Sequence, residues 1–213
     1  MESFWESSWS QVGLDRVQEY VRKSSIQEDP LLKLLHRHQV RTVCDAGCGC
    51  GVGTARLAAE GFQVSAFDVS AQAVALTQAL LRKTQQSAEL RTASILKTGY
   101  QDAQFDCVVS KDVLDHMHRA EAAQAVQELL RITRPGGLVL FTLDDLDEEY
   151  CSEPHLVNSD GDYMYTGGKW EGMVFHPYSA KSAYVLIPDG IPVEVLESSE
   201  HLTILLRKNG PTL

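Results

Sequence analysis

The sequence has no uninterrupted apolar run approaching the ~18 residues of a membrane span, so no membrane partner is expected. It also lacks a basic cluster: 19 Lys and Arg stand against 29 Asp and Glu, a formal net charge of -10. That balance argues against a protein that tracks nucleic-acid phosphates, and no nucleic-acid partner is expected. The opening run, Met1-Glu2-Ser3-Phe4-Trp5-Glu6, has neither the basic region nor the apolar stretch of a signal peptide. Cysteines are few, and the 5 present form no disulfide framework. They read as reduced thiols of a cytoplasmic protein. The remaining composition is ordinary for a globular chain. With 44 % apolar and 23 % charged residues over 213 positions, there is enough material for one domain with a large core.

The densest feature is residues 43–53, Val-Cys-Asp-Ala-Gly-Cys-Gly-Cys-Gly-Val-Gly, with glycine at alternate positions from Gly47 to Gly53. Removing side chains from a short turn lets backbone approach a bulky ligand and permits φ > 0. An apolar stretch ending on Asp45 leads in, and a helical pattern from Thr54 leads out, aiming its free N–H groups at the turn. Strand, bare turn and helix N-terminus together make a place for a nucleoside-like ligand.

Around this turn, strands at 41–45, 62–67, 90–96, 105–110 and 138–143 alternate with helices at 53–60, 71–85 and 119–133. Two further strands, 193–197 and 202–207, alternate apolar and polar residues and predict a terminal antiparallel pair. The pattern predicts an α/β fold: Rossmann-like, doubly wound, a mostly parallel seven-stranded sheet with helices on both faces. Ahead of it, Trp5 and Trp9 lie four apart, and Leu14, Val17 and Val21 keep helical spacing. Asp29-Pro30 predicts another helix start. Residues 144–162 are acidic and read as irregular, a hairpin is expected around Gly167-Gly168, and a short helix after Ser179.

A dinucleotide site needs Gly-x-Gly-x-x-Gly. Here Gly47-x-Gly49 meets Val52 in the third place and Gly49-x-Gly51 meets Thr54, so the fingerprint fails in both registers. Asp45 would also repel a pyrophosphate; it suits a cationic ligand with hydroxyls and an amino group. Asp68, ending the second strand, stands where ribose hydroxyls are read. Cys48 and Cys50, one residue apart inside the turn, are not a zinc arrangement, and no metal is expected.

The run Asp45-Ala46-Gly47-Cys48-Gly49-Cys50-Gly51 resembles the glycine motif of class I S-adenosylmethionine-dependent methyltransferases. Three landmarks follow in register: Asp68-Val69-Ser70, Phe105-Asp106-Cys107-Val108-Val109-Ser110 leading into Val113-Leu114-Asp115-His116, and Arg134-Pro135-Gly136-Gly137. The likeness covers roughly residues 40–143 and points to a small-molecule branch similar to ubiquinone- and menaquinone-biosynthesis or tellurite-resistance enzymes. It implies S-adenosyl-L-methionine as cofactor, held by Asp45, Gly47, Cys48, Gly49 and Gly51 at the methionine part and by Asp68 at the ribose. Val69 would lie against adenine. Ser94-Ile95 stands where many relatives carry an acidic residue reading the adenine amino group, so recognition there is left to the Ser94 hydroxyl or to backbone groups. Ser110 and Lys111 would line the methyl-transfer channel.

On the acceptor side, Lys111-Asp112-Val113-Leu114 replaces the Asn/Asp-Pro-Pro-aromatic run shared by enzymes that methylate amino groups of DNA bases. A small-molecule acceptor is therefore expected. His116 matches a histidine common in small methyltransferases, and His176 and Tyr178 resemble a segment that often faces the acceptor; these are the candidate catalytic residues. An unperturbed histidine pKa near ~6.5 would suit either imidazole to accept a proton. The plainer alternatives are a structural hydrogen bond for His116 and hairpin packing for the other two. Acidic residues 144–149 read as a solvated loop that could attract a cationic amine. One domain is expected: a helical lid at 1–39, a cofactor-binding core at 40–143, a substrate-side insertion at 144–178, and a C-terminal helix and strand pair at 179–213. The alternative to an enzyme is a cofactor-binding, non-catalytic partner or regulatory subunit of the same fold.

Overall fold

Five strands form a parallel core: β1 (Thr42–Ala46), β2 (Gln63–Asp68), β3 (Glu89–Thr92), β4 (Phe105–Ser110) and β5 (Thr133–Leu143). The computed structural model describes residues 2–24, 30–197 and 201–210. With β9 (Val193–Glu197) and β10 (Leu202–Arg207), these strands form a seven-stranded sheet in the order β3-β2-β1-β4-β5-β10-β9. β10 runs antiparallel to both β5 and β9, as the terminal alternation predicted. The order reverses at β1, which pairs with β2 on one side and β4 on the other. In such sheets, ligands bind outside the carboxyl ends of the strands at the reversal, and the glycine turn leaves β1 there.

Side chains alternate across a strand, so each face acquires its own core. Cys44, Ala46, Val108, Val139 and Phe141 pack with α6 (Arg119–Ile132), whose Ala122, Ala125, Val126, Leu129 and Ile132 are fully buried. On the opposite face Val43, Cys107, Val109, Leu138 and Leu140 meet α3 (Pro30–Arg37) and α4 (Val52–Ala59). Burying each such Leu, Val or Phe contributes about 1.5–3 kcal/mol, which explains why strands with apolar residues on both faces settle in the middle of the sheet. α2 (Leu14–Ser24) and α5 (Ala71–Thr84) pack together around Val17, Leu80 and Leu81, while α1 (Glu2–Ser10) lies across the start of α5. Among the described residues, no helix is long and apolar enough to cross a membrane.

Several local expectations shift. β3 stops at Thr92, short of the predicted Leu96, because the chain turns there and closes a bridge between Ser94 and Lys97. β5 begins at Thr133, ahead of the Pro-Gly-Gly stop, because Thr133 pairs with Phe105 before a bulge resets the register. The acidic stretch contains α7 (Glu148–Ser152), N-capped by the Asp147 carboxylate, which accepts from Tyr150 N at 2.8 Å. The hairpin expected around Gly167-Gly168 forms: β7 (Tyr163–Tyr165) and β8 (Val174–Phe175) pair antiparallel across it, and β6 (His155–Val157) adds a third strand on the other side of β7. The segment after Ser179 is a 3-10 turn, Ser182–Leu186. The N-cap expected at Asp29 lies outside the described residues; Pro30 does open α3.

Asp162 ties this small sheet to the core. Its carboxylate meets His118 Nδ1 and His176 Nδ1, each at 2.8 Å, and accepts from Arg119 N at 3.0 Å and Asn158 Nδ2 at 2.8 Å. Burial pushes its pKa up, but the bonds from His118, Arg119, Asn158 and His176 outweigh this and hold it down at about 2. A depressed carboxylate contributes stability that is present above its unfolded pKa near ~3.9 and is lost as pH falls toward about 2. Asp162→Asn is expected to cost about 2 kcal/mol at pH 7 by urea unfolding, the difference from wild type shrinking below pH 4. An unchanged midpoint at pH 7 would rule the tie out.

Candidate active site

The turn after β1 keeps its shape because three of its glycines have no room for a side chain: at Gly47, φ 78°, a Cβ would lie 2.5 Å from Cγ2 of Val113. Gly49 has φ 53°, and a Cβ there would lie 2.9 Å from Cζ2 of Trp9. Gly51 has φ 83°, and its Cβ would lie 2.8 Å from the backbone Cα of Thr77 on α5. Thr77 also donates to Gly49 O at 2.9 Å, so α5 buttresses the turn from behind. Two buried carboxylates frame it. Asp45 Oδ2 accepts from Thr54 Oγ1 at 2.6 Å. Asp68 Oδ2 accepts from Gly49 N and Oδ1 from Ser70 N, both at 2.9 Å. Burial pushes both pKa values up; the Thr54 hydroxyl opposes this at Asp45, and the Ser70 and Gly49 amides oppose it at Asp68. Each oxygen that accepts one hydrogen bond keeps a second lone pair for a ligand.

A cavity of about 810 Å³ opens over this turn. Of the residues expected at the cofactor, Asp45, Gly47, Cys48 and Gly49 line it, as do Asp68, Val69, Ser94 and Ile95. Gly51 does not: it is needed for its fit against Thr77. Ser110 is fully buried and donates to Ala46 O at 3.0 Å, stitching β4 to β1, while its neighbour Lys111 reaches the cavity. Trp9 covers Gly49, and Trp5 stands on the far wall. Glu6 fastens the N-terminal helix that carries both tryptophans: its Oε2 accepts from Ser70 Oγ at 2.5 Å and Gln72 N at 3.3 Å. The sequence offered no signal for Glu6, because its partner is 64 residues away.

His116 ends a 3-10 turn, Leu114–His116, and lines the cavity beside Trp5, ring centroids 5.0 Å apart. Its Nδ1 is buried and has no hydrogen-bond partner. Burial holds its pKa down at about 4, so the ring is neutral at pH 7 and the expectation of an unperturbed histidine is corrected. His176 and Tyr178 are buried and absent from the lining: His176 is bound to Asp162, and Tyr178 packs in the core beneath α6. The β7–β8 hairpin forms as expected, but the chain leaving it turns both side chains inward. Phe175, just before them, does touch His116, with ring centroids 5.8 Å apart.

Behind His116, Asp115 is fully buried; its Oδ2 accepts from Asp144 N at 3.2 Å and Oδ1 has no partner. Burial, and then the nearby Asp112, push its pKa up to about 7. Burial and the same two aspartates raise Asp144 to about 6, so Asp144 is no solvated loop residue, although Asp145, Asp147 and Glu148 are exposed. Here the folded state binds the proton more tightly than the unfolded chain. Stability therefore falls as pH rises from about 4 to 7. Asp115→Asn keeps an acceptor for Asp144 N and is expected to flatten the decline in Tm between pH 5 and pH 8. An unchanged slope would show that the Asp115 charge is not its source.

Residues 43–137 match the family described as a methyltransferase domain. It is this stretch, the glycine turn and the strands around it, that carries the methyltransferase likeness. Over 114 residues this domain and its surroundings are 35 % identical to a malonyl-[acyl-carrier protein] O-methyltransferase of Enterobacter lignolyticus, covering 54 % of this chain and 43 % of that one. A ubiquinone biosynthesis O-methyltransferase of Aromatoleum aromaticum is 31 % identical over 103 residues, 48 % of this chain and 43 % of its own. The chain spans about half the length, or less, of the curated relatives it matches. Among solved structures, a SAM-dependent methyltransferase from Methanosarcina mazei superposes with a TM-score of 0.67 at 20 % identity, over 87 % of this chain and 100 % of that one. A magnesium protoporphyrin IX methyltransferase from Synechocystis with bound SAM gives 0.60 at 16 %, over 92 % and 79 %. These likenesses extend the shared fold well beyond the glycine turn.

The cavity suits S-adenosylmethionine, the cofactor named for several of these relatives and neighbours. Gly49 leaves a side-chain-free floor, Asp45 and Asp68 supply buried acceptors, and Val69, Ile95 and Trp9 supply apolar wall. Its volume falls within the ~300–1,000 Å³ of small-molecule pockets.

Proposed function

We propose that this methyltransferase domain moves a methyl group from S-adenosylmethionine to a small-molecule acceptor. The observation carrying this reading is the pairing of Asp45 and Asp68 across one bare turn at the sheet reversal, with His116 on the wall of the same cavity. When bound, the cofactor supplies a methyl on a sulfonium: the S–CH3 bond breaks as the acceptor–CH3 bond forms, and the electron pair stays on sulfur.

The chain's own part is positioning. Asp68 accepts the ribose hydroxyls with charge-assisted hydrogen bonds worth about 1.5–3 kcal/mol each. Asp45 and the turn hold the amino-acid end, Ser94 and Ile95 the adenine end. Trp5 and Trp9 exclude water, which strengthens these contacts. His116, neutral at pH 7, takes a hydrogen bond from the acceptor through Nδ1. His176 and Tyr178 act from behind the wall, bracing the segment that carries Phe175. We assign the domain to the cytoplasm, where Cys48 and Cys50 beside the cofactor stay reduced.

Isothermal titration with S-adenosylmethionine tests the donor, and a methyl-transfer screen over small amines, thiols, phenols and metalloid oxyanions tests the reaction. Donor binding followed by turnover of one class is expected. Binding with no turnover across the screen would favour a non-catalytic cofactor-binding partner, and no binding would end the reading altogether.

A further inference from the structure

Asp45 and Asp68 meet the cofactor cavity with donors already in place, from Thr54 Oγ1 and from Gly49 N and Ser70 N respectively. Glu121 lines the same cavity in a different state. Its Oε2 is buried and, among the described residues, has no hydrogen-bond partner. A carboxylate oxygen withdrawn from water without a donor is costly, and a donor on a ligand in the cavity would offset that cost.

The fold sets which part of a ligand this carboxylate meets. Glu121 and Glu128 lie seven residues, about two turns, apart on one face of α6. Glu128 Oε1 accepts from Thr98 N at 2.9 Å and from Thr98 Oγ1 at 2.7 Å. Further along α6, Arg131 Nη2 donates to Tyr100 O and Ala103 N donates to Arg131 O, both at 2.9 Å. Residues 98–103 therefore run beside α6 in the same direction, which brings Glu121 level with the turn at Ser94–Leu96 that precedes them. The apolar packing agrees: Ile95 shares one buried cluster with Met117 and Ala122, which flank Glu121 in the chain. Ile95, Leu96, Met117 and Glu121 all line the one cavity.

This is the end of the cavity assigned above to adenine, a flat ring whose amino group is a hydrogen-bond donor. Ile95 and Met117 offer the ring apolar surface, but the amino group needs an acceptor. Ser94 has already committed its own: Oγ accepts from Leu96 N at 3.3 Å, and its carbonyl accepts from Lys97 N at 3.1 Å. We propose that Glu121 reads the base, its carboxylate accepting a hydrogen bond from the adenine amino group. The proposal rests on the donor reading above and adds the residue that sets the choice of base.

The test is isothermal titration of the full chain with S-adenosylhomocysteine and with its 6-deamino analogue, in which hydrogen replaces the amino group. Wild type is expected to bind the adenine compound about 10- to 100-fold more tightly, the range for a hydrogen bond to a charged acceptor. Glu121→Ala should weaken S-adenosylhomocysteine by that factor and spare the analogue, closing the ratio to within about threefold. Glu121→Gln matches the native shape and keeps a neutral acceptor, so its ratio should fall between the two. A merely structural role would weaken both compounds alike and leave the ratio at its wild-type value. That result would overturn the proposal, as would equal binding of the two compounds by wild type. Failure of wild type to bind either compound would instead overturn the donor reading, so the two failures are separable.

Discussion

Replacing Asp68 with alanine is expected to weaken S-adenosylmethionine binding by roughly 2–4 kcal/mol, or about 30- to 700-fold in Kd by isothermal titration. Part of this is the loss of the charged acceptor for the ribose hydroxyls. The rest comes from within the protein: Gly49 N and Ser70 N both donate to this carboxylate, and without it two buried amides lose their partner. The turn then loosens where the cofactor rests on it. Asp68→Asn keeps one acceptor oxygen and should fall between the two. Since burial already raises the Asp68 pKa, cofactor affinity should also decline on acidification as the carboxylate takes up a proton, and this pH dependence should disappear in the alanine variant. Unchanged affinity in Asp68→Ala would mean that β2 does not carry the ribose contact.

Gly51→Ala should cost folding stability more than any other single methyl added to the turn. At φ 83° an L side chain is strained by about 1–2 kcal/mol. The new Cβ would also lie 2.8 Å from Thr77 Cα, and backbone in the middle of α5 cannot step aside as a side-chain tip would. Overpacking adds about 1–3 kcal/mol, for a total of roughly 2–5 kcal/mol in urea unfolding. Gly61→Ala is the control. Its φ is 87°, yet nothing stands within 4 Å of the added Cβ, so only the conformational strain should appear. Equal losses in the two variants would show that the contact with Thr77 carries no energy.

These expectations show where local pattern is informative. The strands were readable because β1, β4 and β5 are apolar on both faces, and a strand of that kind is stable only inside a covered sheet. The cavity over the glycine turn left a trace in the sequence because Asp45, the glycines and Asp68 lie within 24 positions and leave their strands at the same end of the sheet. Their backbone and side-chain requirements are local, so they leave a local trace. Ser110 shows the limit: its position at the end of β4 is right for the channel, but strand alternation turns it inward to Ala46 O and gives the cavity to Lys111.

His176 and Tyr178 fail for a longer-range reason. Whether a hairpin residue faces a ligand or the core depends on how the hairpin is docked, and Asp162, His118 and Arg119 decide that here from 14, 58 and 57 residues away from His176. The sequence by itself determined the α/β class and the place of the glycine turn, because short-range periodicity and glycine geometry encode them, while the donor reading came from the resemblance of four motifs in register to known methyltransferases. Tertiary structure alone decided which side chains surround His116. The helix carrying Trp5, the short helix carrying Tyr150 and the turn carrying Trp170 have no local reason to meet, and only their burial of a shared aromatic surface beside His116 brings them together.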